Sequence, residues 1–129
     1  VNYVSDLLPK IVQIIKDNDL NIIWMCDPMH GNTITSKTGY KTRNFNTIKE
    51  ELEIFFKICY ENHVIPAGVH FELTGENVTE CTGGMKNIQD IDLNQYYQTA
   101  CDPRLNNEQS LEMAFLISDY INKGENLNE

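Results

Sequence analysis

The sequence predicts an α/β protein with a parallel sheet. Short apolar segments typical of strands alternate with longer segments of helical periodicity, and each strand segment runs into a polar, turn-rich loop. The chain has 129 residues, 41% hydrophobic and 22% charged, which is an ordinary composition for one folded domain. We therefore expect a single domain over residues 1–129. Its strands are predicted near residues 21–27, 68–74 and 97–102, and its helices near 5–18, 46–62 and 107–123.

The first helix is predicted over residues 5–18, because apolar residues recur there at helical spacing. The residues of its expected buried face are Leu7, Leu8, Ile11, Val12, Ile14 and Ile15. Ser5 or Asp6 can cap this helix, and Pro9 lies in its first turn, where a missing N–H costs little. Asn21–Cys26 follows and is nearly all apolar, as expected for a strand buried on both faces of a parallel sheet.

The second helix is predicted over residues 46–62, where Thr47 and Glu50 have the spacing of a capping box. Its apolar face comprises Ile48, Leu52, Phe55, Phe56 and Cys59. The second strand alternates strictly, with Val69, Phe71 and Leu73 on one side and His70, Glu72 and Thr74 on the other. A strand whose polar face carries His and Glu is unusual unless that face lines a site.

A weaker third strand is expected at Tyr97–Cys101, followed by the last helix. The apolar stripe predicted for that helix consists of Leu111, Ala114, Phe115, Ser118 and Ile121. Gly124 is predicted to stop the helix in the left-handed conformation that often follows a helix end.

The charge balance and the absence of targeting signals restrict the partners and the location. The net charge is −9, which disfavours a nucleic-acid partner because such a surface repels phosphate backbones. The sequence shows neither an apolar run of about 20 residues nor a secretion signal, so we expect no membrane partner and a cytoplasmic location. The four cysteines lack CxxC spacing and are expected to be reduced thiols. Because residue 1 is Val rather than Met, we expect a piece of a longer polypeptide.

Residues that suit metal chemistry collect at the predicted strand ends: His30, Glu72 and Asp102. Because neighbouring parallel strands end at one edge of a sheet, these side chains could converge on one divalent cation. Imidazole nitrogen with carboxylate oxygen suits Mn, Fe, Co or Zn better than Mg or Ca. The alternatives are a core histidine, a carboxylate paired with a neighbouring Lys or Arg, and a turn aspartate. Lys41 and Arg43 are either solvated loop residues or ligands of a small phosphate ester.

Several long motifs follow one another along almost the whole chain. The first is Trp-Met-Cys-Asp-Pro-Met-His-Gly-Asn-Thr at residues 24–33. The second is Gly39-x-Lys41-Thr42-Arg43, and the third covers residues 68–84 from Gly-Val-His-x-Glu to Cys-x-Gly-Gly. The last are Tyr-x-Thr-x-Cys-Asp-Pro-Arg-Leu-Asn at residues 97–106 and Gln-Ser-Leu-Glu at residues 109–112. In this order the motifs closely resemble signatures of the type II (plant-like) 3-deoxy-D-arabino-heptulosonate 7-phosphate (DAHP) synthases.

The resemblance implies a (β/α)₈ TIM barrel that condenses phosphoenolpyruvate with erythrose 4-phosphate, the first step of the shikimate route to aromatic amino acids. It also implies a divalent metal, manganese first and cobalt, zinc or iron as alternatives, held by Cys, His, Glu and Asp. By motif, the last three ligands fall on His30, Glu72 and Asp102, and Asn32 or Asp27 would support them through hydrogen bonds.

The sequence departs from the family pattern in two missing early segments and at one residue. The stretch bearing the family's cysteine ligand is missing, and Cys26, Cys59, Cys81 and Cys101 belong to other motifs. The basic segments that hold phosphoenolpyruvate are missing too, and Ala67 stands where the family usually has Gly. An eight-unit barrel takes about 250 residues, so 129 residues make about half of one. Because the early segments are the missing ones, this chain resembles the C-terminal part of such a barrel.

Three interpretations stay open. The chain is the C-terminal portion of a synthase, a non-catalytic fragment or remnant, or one half of a split enzyme with a separate N-terminal chain. In each case an open piece of barrel exposes apolar faces and sheet edges, so we expect a homo-oligomer or pairing with the missing N-terminal half.

Overall fold

The computed structural model describes the chain from Asn2 to Asn126 and shows a mixed α/β architecture in which helices flank short strands. The helices are α1 (Asn2–Asp17), α2 (Phe45–Glu61) and α3 (Asn107–Asn126). The strands are β1 (Trp24–Cys26), β2 (Thr33–Thr35), β3 (Lys41–Arg43) and β4 (Pro66–Val69). Two 3₁₀ turns lie at His30–Asn32 and Asp90–Gln95.

A short parallel sheet joins β1 to β4, as the alternation of strands and helices predicts. Its register pairs Met25 with Gly68 and Cys26 with Val69, and the amide of His70 continues it by donating to the Cys26 carbonyl at 2.8 Å. Ala67, the departure from the family pattern, lies in β4 and is not among the residues with positive φ. A side chain there therefore costs no backbone strain.

The second and third predicted strands differ from the structure. β4 ends at Val69, opposite the end of its partner β1 at Cys26, so the strand stops before residue 74, where the sequence predicted its end. Residues 97–102 form no strand. Their place beside the chain at Leu73 is taken by Leu105, which forms an isolated parallel bridge there.

A hairpin of β2 and β3 occupies the stretch that the sequence indicates only as a polar loop. The two strands are antiparallel, and Thr35 pairs with Lys41 while Thr33 pairs with Arg43. Gly39 has φ of +88° in the connecting turn, a conformation that side-chain-bearing residues adopt only with strain. Since alternate residues of a strand share a face, Lys41 and Arg43 lie on the same side of this hairpin.

α2 carries the centre of the core. The five residues predicted for its apolar face are all buried, which confirms that face: Ile48, Leu52, Phe55, Phe56 and Cys59. Its cap differs from the prediction. Asn44, not Thr47, precedes the helix, and its side-chain oxygen accepts from the amides of Asn46 at 3.0 Å and Thr47 at 3.2 Å.

α1 packs against α2 through only part of its predicted face. The helix begins at Asn2, so neither Ser5 nor Asp6 caps it and Pro9 lies beyond its first turn. Val12 is fully buried, whereas apolar residues of the predicted face are about half exposed: Leu7, Ile11 and Ile14. β1 is likewise open on one side, with Met25 60% exposed, so the expectation of a strand buried on both faces is wrong.

α3 buries a different stripe from the one predicted. Met113 is buried, and Leu116, Ile117 and Tyr120 pack against the core cluster. The whole predicted stripe is exposed instead: Leu111, Ala114, Phe115, Ser118 and Ile121. Both stripes have helical spacing, so the sequence alone does not decide between them. The stripe that is buried is the one facing α2, where the Tyr120 ring stacks on Phe56 with ring centroids 5.1 Å apart. Gly124 does not end the helix, which continues to Asn126.

The four cysteines are free thiols: Cys26, Cys59 and Cys81 are buried, and Cys101 is exposed. Between Asn2 and Asn126, no helix combines the length and the apolar character needed to cross a membrane.

Candidate metal centre

The structure brings together the three residues that the sequence places at strand ends. His30 lies in the 3₁₀ turn after β1, Glu72 follows β4, and Asp102 lies in the loop before the Leu105 bridge. Each offers one ligand atom that lies within 4.8 Å of those of the other two. His30 Nε2 is 3.3 Å from Glu72 Oε1. The two carboxylates are partly buried and the imidazole is about half exposed, so the group lies at an accessible edge.

Asp27 orients His30. Its Oδ1 accepts the amides of Met29 at 3.0 Å and His30 at 3.2 Å, and its Oδ2 lies 2.7 Å from His30 Nδ1. Partial burial opposes ionisation of Asp27, but these hydrogen bonds together outweigh it and lower the pKa of the carboxyl. With Nδ1 held by a carboxylate, Nε2 is the nitrogen left to bind a cation.

Asn32 supports the same turn at a greater distance from the ligands. Its side-chain amide donates to the Pro28 carbonyl at 2.9 Å and to Glu51 Oε2 at 2.8 Å. The Asp27 and Asn32 contacts therefore give the Asp-Pro-Met-His turn a defined shape, which directs His30 toward Glu72.

Arg43 is fully buried behind the two carboxylates. Its Nη1 donates to Glu72 Oε2 and, at 2.6 Å, to the Pro103 carbonyl, while Nε donates to Thr33 Oγ1 at 2.8 Å. Arg43 is thus the basic partner that the sequence analysis considered for Glu72. Because Arg43 is fully buried, the alternative of a solvated loop residue is wrong for it. Nη2 has no hydrogen-bond partner among the described residues and lies 4.0 Å from Asp102 Oδ1.

Lys41 is the second cation of the centre. Its ammonium donates a hydrogen bond to Asp102 Oδ1, which raises the pKa of the lysine and lowers that of the aspartic acid. The other oxygen of Asp102, Oδ2, lies 3.6 Å from Cys101 Sγ. The lysine side chain is 49% exposed, so this ion pair borders solvent.

Glu80 holds the loop that carries Asp102. This carboxylate is fully buried and accepts from Arg104 Nε at 3.0 Å, from Arg104 Nη2 at 2.7 Å and from the Thr99 amide at 2.9 Å. Burial raises the pKa of Glu80, but the bonds from Arg104 and from backbone amides lower it by more. The sequence alone does not single out Glu80, because a lone acidic residue in a loop carries no sign of its buried partner.

His70 forms a second candidate donor group with Asp27 and His30, again with ligand atoms within 4.8 Å of one another. The two imidazole rings have centroids 5.7 Å apart. Because Asp27 already engages Nδ1 of His30, this group shares a ligand with the first and does not form an independent centre.

Comparison with known proteins shows similarity to one protein family along nearly the whole chain. The sequence profile of the Class-II DAHP synthetase family matches residues 1–118. The phospho-2-dehydro-3-deoxyheptonate aldolase AroG of Mycolicibacterium smegmatis is 52% identical over 120 residues, which are 93% of this chain and 26% of that protein. The enzyme of the same name from Streptomyces coelicolor is 45% identical over 116 residues, 90% of this chain and 26% of that protein. The Neurospora crassa enzyme is 43% identical over 119 residues, 91% of this chain and 25% of that protein. The chain thus spans about a quarter of the length of these relatives.

Proposed function

Because the chain belongs to the class-II DAHP synthetase family, we propose that it contributes the metal centre of an enzyme that condenses phosphoenolpyruvate with erythrose 4-phosphate. The reaction would be the first step of the shikimate route. The observation that supports this role is the convergence of His30, Glu72 and Asp102, one ligand atom from each lying within 4.8 Å of the others. Hydrogen bonds with Asp27 and Arg43 hold His30 and Glu72 in this arrangement.

The donor set fits a divalent cation of borderline character. One imidazole nitrogen and two carboxylates suit manganese, with cobalt, zinc or iron as alternatives. Such a cation, when bound, would act as a Lewis acid that polarises the aldehyde of erythrose 4-phosphate. Asp27 holds the His30 ring so that Nε2 faces the centre, and Arg43 holds one oxygen of Glu72 so that the other faces His30.

Lys41 is better placed than Arg43 to contact a substrate phosphate. The Lys41 ammonium borders solvent, whereas the Arg43 guanidinium is buried and engaged by Thr33, Glu72 and Pro103. We therefore assign Lys41 to the phosphate of a substrate and Arg43 to the positioning of Glu72. Arg104, the other arginine nearby, is committed to Glu80.

The complete reaction needs more protein than this chain contains. Phosphoenolpyruvate has two anionic ends, and the cations near the centre are largely used by its own carboxylates. The apolar side chains exposed on β1 and α1, among them Met25 and Ile11, provide a surface that further barrel strands and helices can cover. We propose that the chain is the C-terminal part of a (β/α)₈ barrel, completed by an N-terminal part in the same polypeptide or in a partner chain. The four free thiols favour the cytoplasm as its location.

The test combines Mn²⁺ binding with turnover. In the protein completed by its N-terminal part, His30→Ala should weaken Mn²⁺ binding at least tenfold and abolish the erythrose-4-phosphate-dependent loss of phosphoenolpyruvate. His63→Asn is the matched control, because His63 lies in the turn after α2 with φ of +52° and asparagine tolerates that conformation. Mn²⁺ affinity and turnover that are the same in His30→Ala as in the unmodified protein would refute the assignment.

A further inference from the structure

We propose that Lys41 is the internal counter-ion of the metal centre: its ammonium holds Asp102 while the centre lacks a cation, and it gives up Asp102 when a divalent cation binds. The released ammonium then serves an anionic group of the substrate, so that binding of the metal and binding of the anion are coupled. This inference rests on the proposed function, since it needs a divalent cation at His30, Glu72 and Asp102.

The competition centres on one oxygen atom. Asp102 Oδ1 accepts from Lys41 Nζ and is the oxygen that lies 4.0 Å from the buried Arg43 Nη2, while Oδ2 lies beside Cys101 Sγ. An ammonium and a divalent cation bound to the same carboxylate oxygen repel each other at short range. Binding of the metal through Oδ1 therefore requires Lys41 to leave.

Of the two cations at the centre, only Lys41 is free to move. The Arg43 guanidinium is fully buried and donates to three different groups. The Lys41 side chain is 49% exposed, and its backbone is fixed independently by pairing with Thr35 and by the Tyr97 hydroxyl, which donates to the Lys41 carbonyl at 2.6 Å. The exchange therefore needs only rotation of a flexible four-carbon stem.

The vacated position has a donor at hand. Arg43 Nη2 is buried without a hydrogen-bond partner among the described residues and faces Asp102 Oδ1 at 4.0 Å. Arg43 keeps this 4.0 Å distance when Lys41 leaves, so Asp102 retains a buried cation behind it that is farther from Oδ1 than a hydrogen-bonded ammonium. The displaced ammonium remains at the solvent edge of the centre, where it can form charge-assisted hydrogen bonds to a phosphate monoester.

The experiment compares Mn²⁺ affinity in lysine variants of the purified protein at constant ionic strength. Lys41→Met should bind Mn²⁺ about three- to tenfold more tightly, because it removes both a competitor and a repelling charge. Lys37→Met is the matched control in the connection of the same hairpin, with its backbone amide bonded to Asp90, and should stay within about twofold of the unmodified protein. Lys41→Arg, which keeps the charge, should not gain affinity.

A second measurement follows the coupling with methyl phosphate as the anion. Mn²⁺ should raise the affinity for methyl phosphate, because binding coupling is reciprocal. This gain should be at least threefold smaller in Lys41→Met than in Lys37→Met, because the Lys41 ammonium couples the two binding events. Unchanged or weaker Mn²⁺ binding by a Lys41→Met protein with an unaltered unfolding midpoint would overturn the inference while leaving the proposed function intact. Failure of the unmodified protein to bind Mn²⁺ through His30 would overturn both.

Discussion

Single buried charges decide the geometry of the centre. Arg43 and Glu80 are both fully buried, and each satisfies several groups from segments far apart in sequence. A buried ion pair is stable only when its hydrogen-bonding capacity is nearly filled, and removal of one partner leaves a costly isolated charge. The positions of Glu72 and Asp102 therefore depend on side chains that are themselves fully buried.

Glu80 should make stability sensitive to acid. Its pKa lies below the usual 4.5 in the folded protein, so its contribution is complete above about pH 4.5 and is lost as the pH falls through the lower, folded-state pKa. We expect Glu80→Gln to lower the unfolding midpoint at pH 7 and to reduce the further loss between pH 5 and pH 3. Thermal unfolding followed by circular dichroism across this range provides the measurement. Equal acid sensitivity of both proteins would show that Glu80 does not contribute in this way.

At the scale of elements, the buried and periodic segments were predictable. The prediction for the face of α2 was correct, because Ile48, Leu52 and Phe55 recur at helical spacing on one side and are all buried. The prediction for the face of α3 was wrong, because Met113 and Phe115 each belong to an apolar stripe of helical spacing. Only contacts with α2 decide which of the two stripes is buried.

The polar segments were much less predictable. The hairpin strands of three residues each contain few apolar residues, so their pairing left no periodic pattern. In residues 97–102, the amides of Gln98 and Thr99 donate to the Glu80 carboxylate instead of to the backbone of a neighbouring strand. The grouping of His30, Glu72 and Asp102 was predicted only partly for the right reason. His30 and Glu72 follow β1 and β4, as expected. Asp102 was placed at the end of a third strand that does not form, and it reaches the group from a loop held by Glu80.

The start of α2 offers a direct test of the cap. Asn44→Ala should reduce the free energy of unfolding by about 1 kcal/mol, because the amides of Asn46 and Thr47 lose their acceptor. Thr47→Ala, at the cap suggested by the sequence, should change it by less than about 0.5 kcal/mol. Urea denaturation gives both values, and Asn44→Asp, which retains an acceptor, should stay near the unmodified protein. A larger effect at Thr47 than at Asn44 would place the cap at the sequence-predicted residue.

On the scale of the whole molecule, apolar surface dominates the behaviour of the 129-residue chain. Ile23 is 78% exposed, Met25 60% and Phe115 71%, and the first two adjoin the open parallel sheet of β1 and β4. Such surfaces and unpaired strand edges promote association in water.

We therefore expect the chain to self-associate or to pair with an N-terminal barrel segment. Sedimentation velocity at increasing protein concentration should show a rising average mass, and Met25→Lys together with Ile23→Lys should shift the distribution toward monomer. Glu76→Lys, an exposed charge change outside this sheet, serves as the control. A stable monomer at high concentration would contradict the expectation.

The burial of three of the four thiols makes the chain suited to selective chemical labelling. Burial raises the pKa of Cys26 to about 12, of Cys59 to about 11 and of Cys81 to about 12, so these thiols form little reactive thiolate at neutral pH. Cys101 is exposed and its Sγ lies 3.6 Å from Asp102 Oδ2. A maleimide spin label or fluorophore will therefore attach at Cys101 alone, where quenching or relaxation by a paramagnetic ion reports directly on occupancy of the neighbouring carboxylates.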